Sequence, residues 1–336
     1  MSSPIFVLGC PRSGNTMMAC ILCKHPEMFI FFERGIFTVL LKEWQRHQKK
    51  YPSETPKEAF SRSVVKAWKN WIEERTSLRL SSSQVLRCVK DTDGSYKSMV
   101  DALMTMLAGR VKDGQIRWGD KTPHHVGSIE QIFNKYPQAR VIYVKRNPYH
   151  IVSSLSKKEF YPASDDPLFN AEVVYQYLNT YDNQKRKVDK SKILEVRKEE
   201  VVNNTEKKVK KICSFLDVKY RKKLLKKGGK RVKKASGWPE YKGWKKIKSK
   251  NTKNKRSLPP EVIAYLEDAA QRMGYDNVKK NGFLKVKSSI KAYNYRILNN
   301  IMRKIYRTRN PGVKAFFNLR KLSLERVKKW YKKRDK

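Results

Sequence analysis

Short runs rich in apolar residues alternate with amphipathic segments along most of this 336-residue chain. Runs of this length are typical of strands, and an almost wholly apolar one is typical of a strand buried on both faces of a parallel sheet. The predicted strands lie at 4–8, 28–32, 84–89, 115–121, 138–145 and 193–196. The predicted helices lie at about 15–24, 36–80 (two helices), 96–109, 148–155, 171–190, 199–216 and 260–273. This alternation predicts an α/β fold with a central parallel sheet flanked by helices.

The loop after the first run, from Gly9 to Gly14, has the GxxxxG spacing of a P-loop. In such loops the backbone N–H groups and the N-terminus of the next helix face a phosphate. A nucleoside triphosphatase carries a Lys at the position of Asn15, whereas here Arg12 supplies the cation and Thr16 keeps the hydroxyl. We therefore predict a P-loop-like sheet that binds a nucleotide-like anion other than ATP with Mg²⁺. A Gly-containing turn explains the spacing alone equally well.

Arg146 directly follows the predicted strand at 138–145. Asn147-Pro148 then opens a helix that contains Ser154 two turns later. In open α/β sheets, ligands bind at the carboxyl ends of the strands. Arg146 and Ser154 are therefore a second candidate pair for an anion.

Two further strands end in residues that suit acid–base chemistry. Glu33 follows the apolar strand 28–32 and is a candidate general base, although pairing with Arg34 or a nearby Lys is the plainer explanation. Lys121 ends the strand at 115–121 and lies at the predicted ligand edge of the sheet. For the adjacent His124 and His125, helix capping or contacts with an acceptor are favoured over catalysis.

These motifs, in this order, resemble a known family. Pro11-Arg12-Ser13-Gly14 with Thr16, and Arg146 with Ser154, resemble the two donor motifs of sulfotransferases that use 3′-phosphoadenosine 5′-phosphosulfate (PAPS). Arg12-Ser13-Gly14, His25-Pro26-Glu27 and Glu33 together resemble the branch that contains the tyrosylprotein sulfotransferases and their bacterial relatives.

The resemblance implies transfer of a sulfuryl group from PAPS to an acceptor hydroxyl by in-line displacement, without a metal. It implies that Glu33 is the base and that Lys121 stabilises the departing phosphate oxygen. It also assigns a binding role to two groups of residues: Arg12, Ser13, Gly14, Asn15 and Thr16 for the 5′-phosphosulfate, and Arg146 and Ser154 for the 3′-phosphate.

The chain departs from the family pattern at three positions. Gly35 replaces an Arg that functions in the tyrosylprotein enzymes, and Pro123 replaces the catalytic His of cytosolic small-molecule sulfotransferases. Lys198 replaces the Tyr of a "VRYEDL" segment. The acceptor therefore stays open among a glycan, a lipid, a small molecule and a peptide.

The formal net charge of +45 is far outside the ordinary range. It attracts polyanions or an anionic membrane surface, or it reflects a compositional bias that places Lys on every solvated face. Basic residues alternate with apolar ones beyond residue 279, which predicts a basic helical extension at 280–336 after a sulfotransferase domain at 1–279. We favour packing of these helices on the domain over binding to a membrane, and we expect no specific nucleic acid partner.

The five cysteines lie at no disulfide-framework spacing, which indicates a reducing compartment. Cys20 and Cys23 form a CxxC in the predicted first helix, where packing is favoured over zinc. The chain has no run of about eighteen apolar residues, and its first strand begins too early for a signal peptide. We therefore expect a cytoplasmic protein, with peripheral contact to a membrane as the alternative location.

Two other functions remain open at this stage. The first is a P-loop kinase or nucleotidase, against which Asn15 in the place of Lys argues. The second is a non-catalytic protein on the same fold that binds polyanions, which the net charge favours and strongly salt-dependent binding would support.

Overall fold

Five parallel strands form the centre of the fold. The computed structural model describes residues 3–72, 80–157, 166–225 and 258–275. Within them the strands are β1 (Ile5–Leu8), β2 (Met28–Phe32), β3 (Arg117–Lys121), β4 (Arg140–Lys145) and β5 (Ile193–Arg197). They pair in the order β2-β3-β1-β4-β5. The predicted α/β fold with a central parallel sheet is confirmed.

β1 and β2 are fully buried because helices cover both faces of the sheet, which explains why these strands are apolar at every position rather than alternating. The helices, in chain order, are α1 (Asn15–Leu22), α2 (Leu41–Lys50), α3 (Pro56–Ile72), α4 (Ser82–Val89), α5 (Tyr96–Gly109), α6 (Ile129–Lys135), α7 (Pro148–Leu155), α8 (Pro167–Lys185), α9 (Lys198–Asn203), α10 (Thr205–Phe215), α11 (Pro260–Tyr265) and α12 (Glu267–Arg272). Short helical turns at Ile36–Leu40, Pro123–Ser128, Lys190–Lys192 and Lys222–Leu225 connect some of them.

The strand predicted at 84–89 is wrong, because this segment is helix α4. Ser81 accepts a hydrogen bond from the Gln84 N–H, and the Gln84 side chain accepts one from the Ser81 N–H. This capping box starts the helix and places Val85 and Val89 one turn apart on its buried face. The β-prone composition of the segment is outweighed by the cap and by this i, i+4 burial.

Other element boundaries also differ from prediction, and the helix predicted at 171–190 lies at Pro167–Lys185. The helix predicted at 199–216 is divided into α9 and α10 at Asn204, and the one predicted at 260–273 is divided at Leu266. The predicted extension at 280–336 and the predicted domain boundary at 279 lie outside the described residues.

All five cysteines lie in the described residues and are free thiols. Cys23 Sγ exchanges hydrogen bonds with the backbone of Ile30, which joins the end of α1 to β2. Burial raises the pKa of Cys20 to about 12 and that of Cys23 to about 11, so both remain protonated packing residues.

None of the described helices is both long enough and apolar enough to cross a lipid bilayer.

Candidate active site

The sequence-predicted site residues converge at the carboxyl edge of the sheet. The chain leaves β1 toward β2 on one side and leaves β4 toward β5 on the other. Such a switch point between neighbouring strands opens a crevice in which α/β proteins bind ligands. The loop from Gly9 to Gly14 follows β1, and Arg146 follows β4, so the two predicted donor motifs border this crevice.

Both glycines of the loop adopt backbone conformations with positive φ, which favour glycine. Gly9 (φ 144°) lies so close to β4 that a Cβ would come within 2.5 Å of the Val144 carbonyl oxygen. Gly14 (φ 108°) is the N-cap of α1 and provides no side-chain hydrogen bond to its first turn, which also contains no acidic residue. The helix therefore presents the positive end of its dipole and its first N–H groups to the crevice.

Asn15 braces the loop rather than facing the crevice with its amide. Its Nδ2 donates hydrogen bonds to the carbonyl oxygens of Gly9 (3.0 Å) and Cys10 (3.1 Å). Ser13 is also buried, whereas Thr16 is half-buried at the start of α1. Asn15 at the position of the P-loop Lys thus closes the turn from inside.

The two donor motifs touch each other. Arg12 Nε donates a hydrogen bond to Ser154 Oγ on α7 (3.0 Å), and Arg146 Nη1 donates one to the Arg12 carbonyl oxygen (2.8 Å). Arg12 takes a left-handed backbone conformation (φ 72°), which is costly for a residue with a Cβ. The Arg146 side chain is only 8% exposed, and its buried Nε has no hydrogen-bond partner in the part of the chain that the structure describes. Such an arrangement suits an anion that supplies the missing acceptor.

Lys198 is a site residue that the sequence analysis did not assign. It is the first residue of α9, directly after β5, and its side chain lies against Gly14, with Cδ 3.1 Å from the ideal Cβ position of that glycine. Burial, with Arg146 and Arg12 nearby, lowers the pKa of Lys198 to about 8. Two sequence signals existed: its position immediately after a strand that ends at this edge, and its place in the segment that resembles "VRYEDL".

Glu33 and Lys121 form an ion pair at the same edge, one strand from the loop. The register of β2 with β3 pairs Phe32 with Lys121, so the next residue of the β2 chain, Glu33, lies beside the lysine. Lys121 Nζ lies 2.6 Å from Glu33 Oε1; the lysine is 1% exposed and the glutamate 21%. The carboxylate thus reaches solvent while the ammonium stays inside. Glu33 itself has a positive φ of 56°, the kind of strain that is found at functional sites.

A buried hydrogen-bond network holds the segment that follows Glu33. Asp120 accepts hydrogen bonds from the Arg34 N–H (3.2 Å) and from the Thr122 hydroxyl (3.0 Å). The same hydroxyl accepts from the Gly35 N–H (3.2 Å). Burial raises the pKa of Asp120 to about 6. The network fixes the turn between β2 and α2 and so orients the Glu33 backbone.

Both histidines of the pair make contacts with neighbouring elements of the fold. His125 is buried, and its Nε2 accepts the Phe37 N–H (3.2 Å), so that nitrogen carries no proton. Burial, together with His124, lowers the pKa of His125 to about 3. His124 Nδ1 lies 2.6 Å from the Tyr177 hydroxyl oxygen on α8. Both geometries agree with the preference for structural roles.

The neutral state of His125 predicts a pH-dependent stability. Its pKa is about 3 in the folded protein and about 6.5 in the unfolded chain, so its contribution is fully present above pH 6.5 and is lost as the pH falls toward 3. Between pH 7 and pH 5 this loss is about 2 kcal/mol. We expect His125→Gln, whose side-chain oxygen still accepts a hydrogen bond, to remove the loss.

Urea unfolding of both proteins at pH 7 and pH 5 measures the effect. The raised pKa of Asp120 acts with the opposite sign, and because Asp120 Oδ2 lies 3.5 Å from His125 Nδ1, the pKa of Asp120 is measured in both proteins by NMR and its contribution subtracted. Equal pH dependence in the variant and the wild type would contradict the assignment of a neutral His125.

Comparisons with known proteins agree with this geometry. A model of the sulfotransferase family matches residues 4–222. Nodulation protein NoeE of Sinorhizobium fredii is 28% identical over 152 residues, which cover 45% of this chain but only 30% of NoeE. The match thus spans less than a third of that relative's length.

Two solved structures are similar at 17% identity. The sulfotransferase domain from the curacin biosynthetic pathway aligns over 83% of this chain and 99% of its own, with a TM-score of 0.53. That from the olefin synthase of Synechococcus PCC 7002 aligns over 87% and 95%, with a TM-score of 0.49. The first of these shares the fold of this chain. Because the family match takes in the loop after β1, the Glu33–Lys121 pair and Arg146, the chain belongs to the sulfotransferase family.

Proposed function

We propose that the chain transfers a sulfuryl group from PAPS to an acceptor hydroxyl. The observation that carries the proposal is the Glu33–Lys121 pair at 2.6 Å, placed one strand from the loop between Gly9 and Gly14. A carboxylate that reaches solvent beside a buried ammonium provides a base and a cation at one point. The neighbouring loop provides a site for the phosphate from which the sulfuryl group departs.

The residues at the loop suit an adenosine nucleotide that carries phosphate groups at its 5′ and 3′ positions. The N-terminus of α1 and the N–H groups of the loop would hold the 5′-phosphosulfate. Arg146 and Ser154, which are joined through Arg12 by hydrogen bonds, would hold the 3′-phosphate. The unpartnered Nε of Arg146 supports this assignment because an acceptor is missing there. Asn15 would serve by keeping the loop closed.

The donor supplies an activated sulfuryl group whose leaving group is a phosphate. In our proposal Glu33 accepts the proton of the acceptor hydroxyl as its oxygen attacks sulfur. Lys121 stabilises the negative charge that grows on the phosphate oxygen, and its near-complete burial strengthens this effect because water does not screen it. The Asp120 network keeps both groups in place before the acceptor arrives.

Binding of the nucleotide product tests the donor site before any acceptor is known. We expect adenosine 3′,5′-bisphosphate to bind more tightly than AMP and than ATP with Mg²⁺, as measured by calorimetry at a fixed moderate salt concentration. Arg146→Ala should weaken bisphosphate binding about 10- to 100-fold, since a charge-assisted hydrogen bond contributes about 1.5–3 kcal/mol. Its affinity for AMP should change little.

Arg140→Ala is the matched control, because Arg140 starts the same strand and lies at the opposite edge of the sheet. Tight bisphosphate binding that survives in the control but not in Arg146→Ala would support the donor site and justify a screen of acceptor hydroxyls with labelled PAPS. Preference for ATP with Mg²⁺ would point to a kinase or nucleotidase instead. Binding no tighter than that of AMP would refute the proposal.

A further inference from the structure

Lys198 provides a positive charge at the loop and has no ion-pair partner among the residues that the structure describes. Its backbone position is fixed because β5 ends at Arg197 and α9 begins at Lys198. Its aliphatic atoms pack against Gly14, the N-cap of α1, so the side chain lies beside the N-terminus of that helix. Within the described parts of the chain, no hydrogen bond or ion pair engages the Lys198 ammonium.

The nearest carboxylate is engaged elsewhere. Glu199 accepts the Asn147 N–H (3.2 Å) and the Tyr275 hydroxyl (2.6 Å), and His150 Nδ1 lies 3.8 Å from its Oε1. Although burial opposes ionisation, these partners hold the pKa of Glu199 at about 2. The carboxylate is therefore fixed in contacts that join β4, α7 and the segment after α12.

Three cations therefore share a small region in which Glu199 is the opposing charge, and among the described residues this carboxylate makes no ion pair with Lys198. Arg12 and Arg146 are joined through a backbone carbonyl, and both are close enough to Lys198 to lower its pKa. Like charges that are partly removed from water repel each other unless an anion lies between them. The buried and unpartnered Nε of Arg146 is independent evidence for a missing anion at this place.

We propose that Lys198 is a third cationic ligand of the donor's phosphate groups, placed across the N-terminus of α1 beside Arg12 and Arg146. The identity of the anion as an adenosine bisphosphate rests on the proposed function, whereas the phosphate chemistry rests on the three cations and the helix terminus. Lys198 is a binding residue in this proposal and takes no part in proton transfer.

This placement makes the affinity for phosphate depend on pH in the range around pH 8. A bound dianion favours the charged ammonium, so affinity is full below pH 8 and falls as the free protein loses the Lys198 proton above it. A phosphate monoester is already a dianion above pH 7. The arginines stay charged, Glu199 stays ionised, and the pKa of Tyr275 is raised by burial and by Glu199.

The expected loss of wild-type affinity between pH 7 and pH 9 is about tenfold, which follows from a free pKa of about 8. Calorimetric titration with adenosine 3′,5′-bisphosphate measures it without any substitution; inorganic pyrophosphate, which itself loses a proton in this range, is titrated at pH 7 only. Lys198→Arg should keep the affinity at pH 7 and flatten the profile, because guanidinium does not titrate there.

Lys198→Met should weaken both ligands about tenfold or more at pH 7 and should also lack the pH slope. Lys192→Met is the charge-matched control, since Lys192 lies just before β5 at the opposite edge and pairs with Asp189 (3.8 Å). Thermal unfolding of each variant confirms that it is folded before titration.

Equal affinities in Lys198→Met and the wild type, or a flat wild-type profile, would overturn the assignment of Lys198. The proposed function survives that result if the wild type still prefers the bisphosphate over AMP. If instead the wild type does not distinguish bisphosphate from AMP, the proposed function fails, and the pyrophosphate titrations still decide whether Lys198 binds phosphate.

Discussion

Replacement of Lys121 by alanine should lower kcat by about 10³-fold while changing bisphosphate affinity by less than threefold. Removal of one positioned donor to a developing negative charge typically costs a factor of about 10²–10³, and the burial of Lys121 at the end of β3 places it at the upper end. The measurement is single-turnover transfer from labelled PAPS to an acceptor found by the screen. The affinity for adenosine 3′,5′-bisphosphate is measured by calorimetry on the same preparations.

Lys112→Ala is the control for loss of a partly buried lysine. Lys112 Nζ donates to the carbonyl oxygens of Cys23, His25 and Met28 at 2.6–2.7 Å, far from the carboxyl edge. We expect this variant to unfold at a lower temperature but to turn over normally when folded. Near-normal turnover in Lys121→Ala would exclude a role for Lys121 at the leaving phosphate.

Glu33→Gln should lower kcat by about 10²- to 10⁴-fold, the range expected for loss of a general base. Glutamine keeps an oxygen that accepts the Lys121 hydrogen bond but cannot take a proton at neutral pH. Donor binding should therefore persist. Because both residues serve the same step, the double variant Glu33→Gln/Lys121→Ala should be less impaired than the product of the single losses.

Glu43→Gln is the matched control, because Glu43 is a buried carboxylate of α2 that pairs with Lys66 at 2.5 Å. Its loss affects the packing of α2 against α3 and leaves the carboxyl edge of the sheet unchanged. An active Glu33→Gln enzyme would sink the assignment of Glu33 as the base. His124 would then be examined next, since it is the exposed histidine of the pair.

Most of the sheet was predictable because its strands are buried on both faces and therefore apolar throughout. The prediction of β2 at 28–32 agrees with the structure to the residue, and so does that of α5 at 96–109. The segment 84–89 was mistaken for a strand because a short apolar run does not distinguish a strand from a helix by itself. The signal for a helix is the Ser81–Gln84 capping box, which begins three residues before the segment.

The site residues that follow or end a predicted strand could be identified from the sequence. Glu33, Lys121 and Arg146 each follow or end a buried strand, which places them at one edge. Their contacts were not predictable, because the order of the strands decides which ends are neighbours. The brace formed by Asn15, the network under Asp120 and the approach of Lys198 to Gly14 all depend on pairings between distant segments.

The strand order also has a consequence for how the chain acquires its structure. β1 ends at Leu8, yet its two neighbours begin only at Arg117 and Arg140. Contacts of such long sequence separation form late, because loop closure must be achieved before they contribute. During synthesis this apolar segment emerges well before either partner and must wait, exposed, for both. The loop between Gly9 and Gly14 therefore becomes rigid only when the middle of the sheet closes, so any ligand of this loop binds only to a chain whose three central strands have already paired.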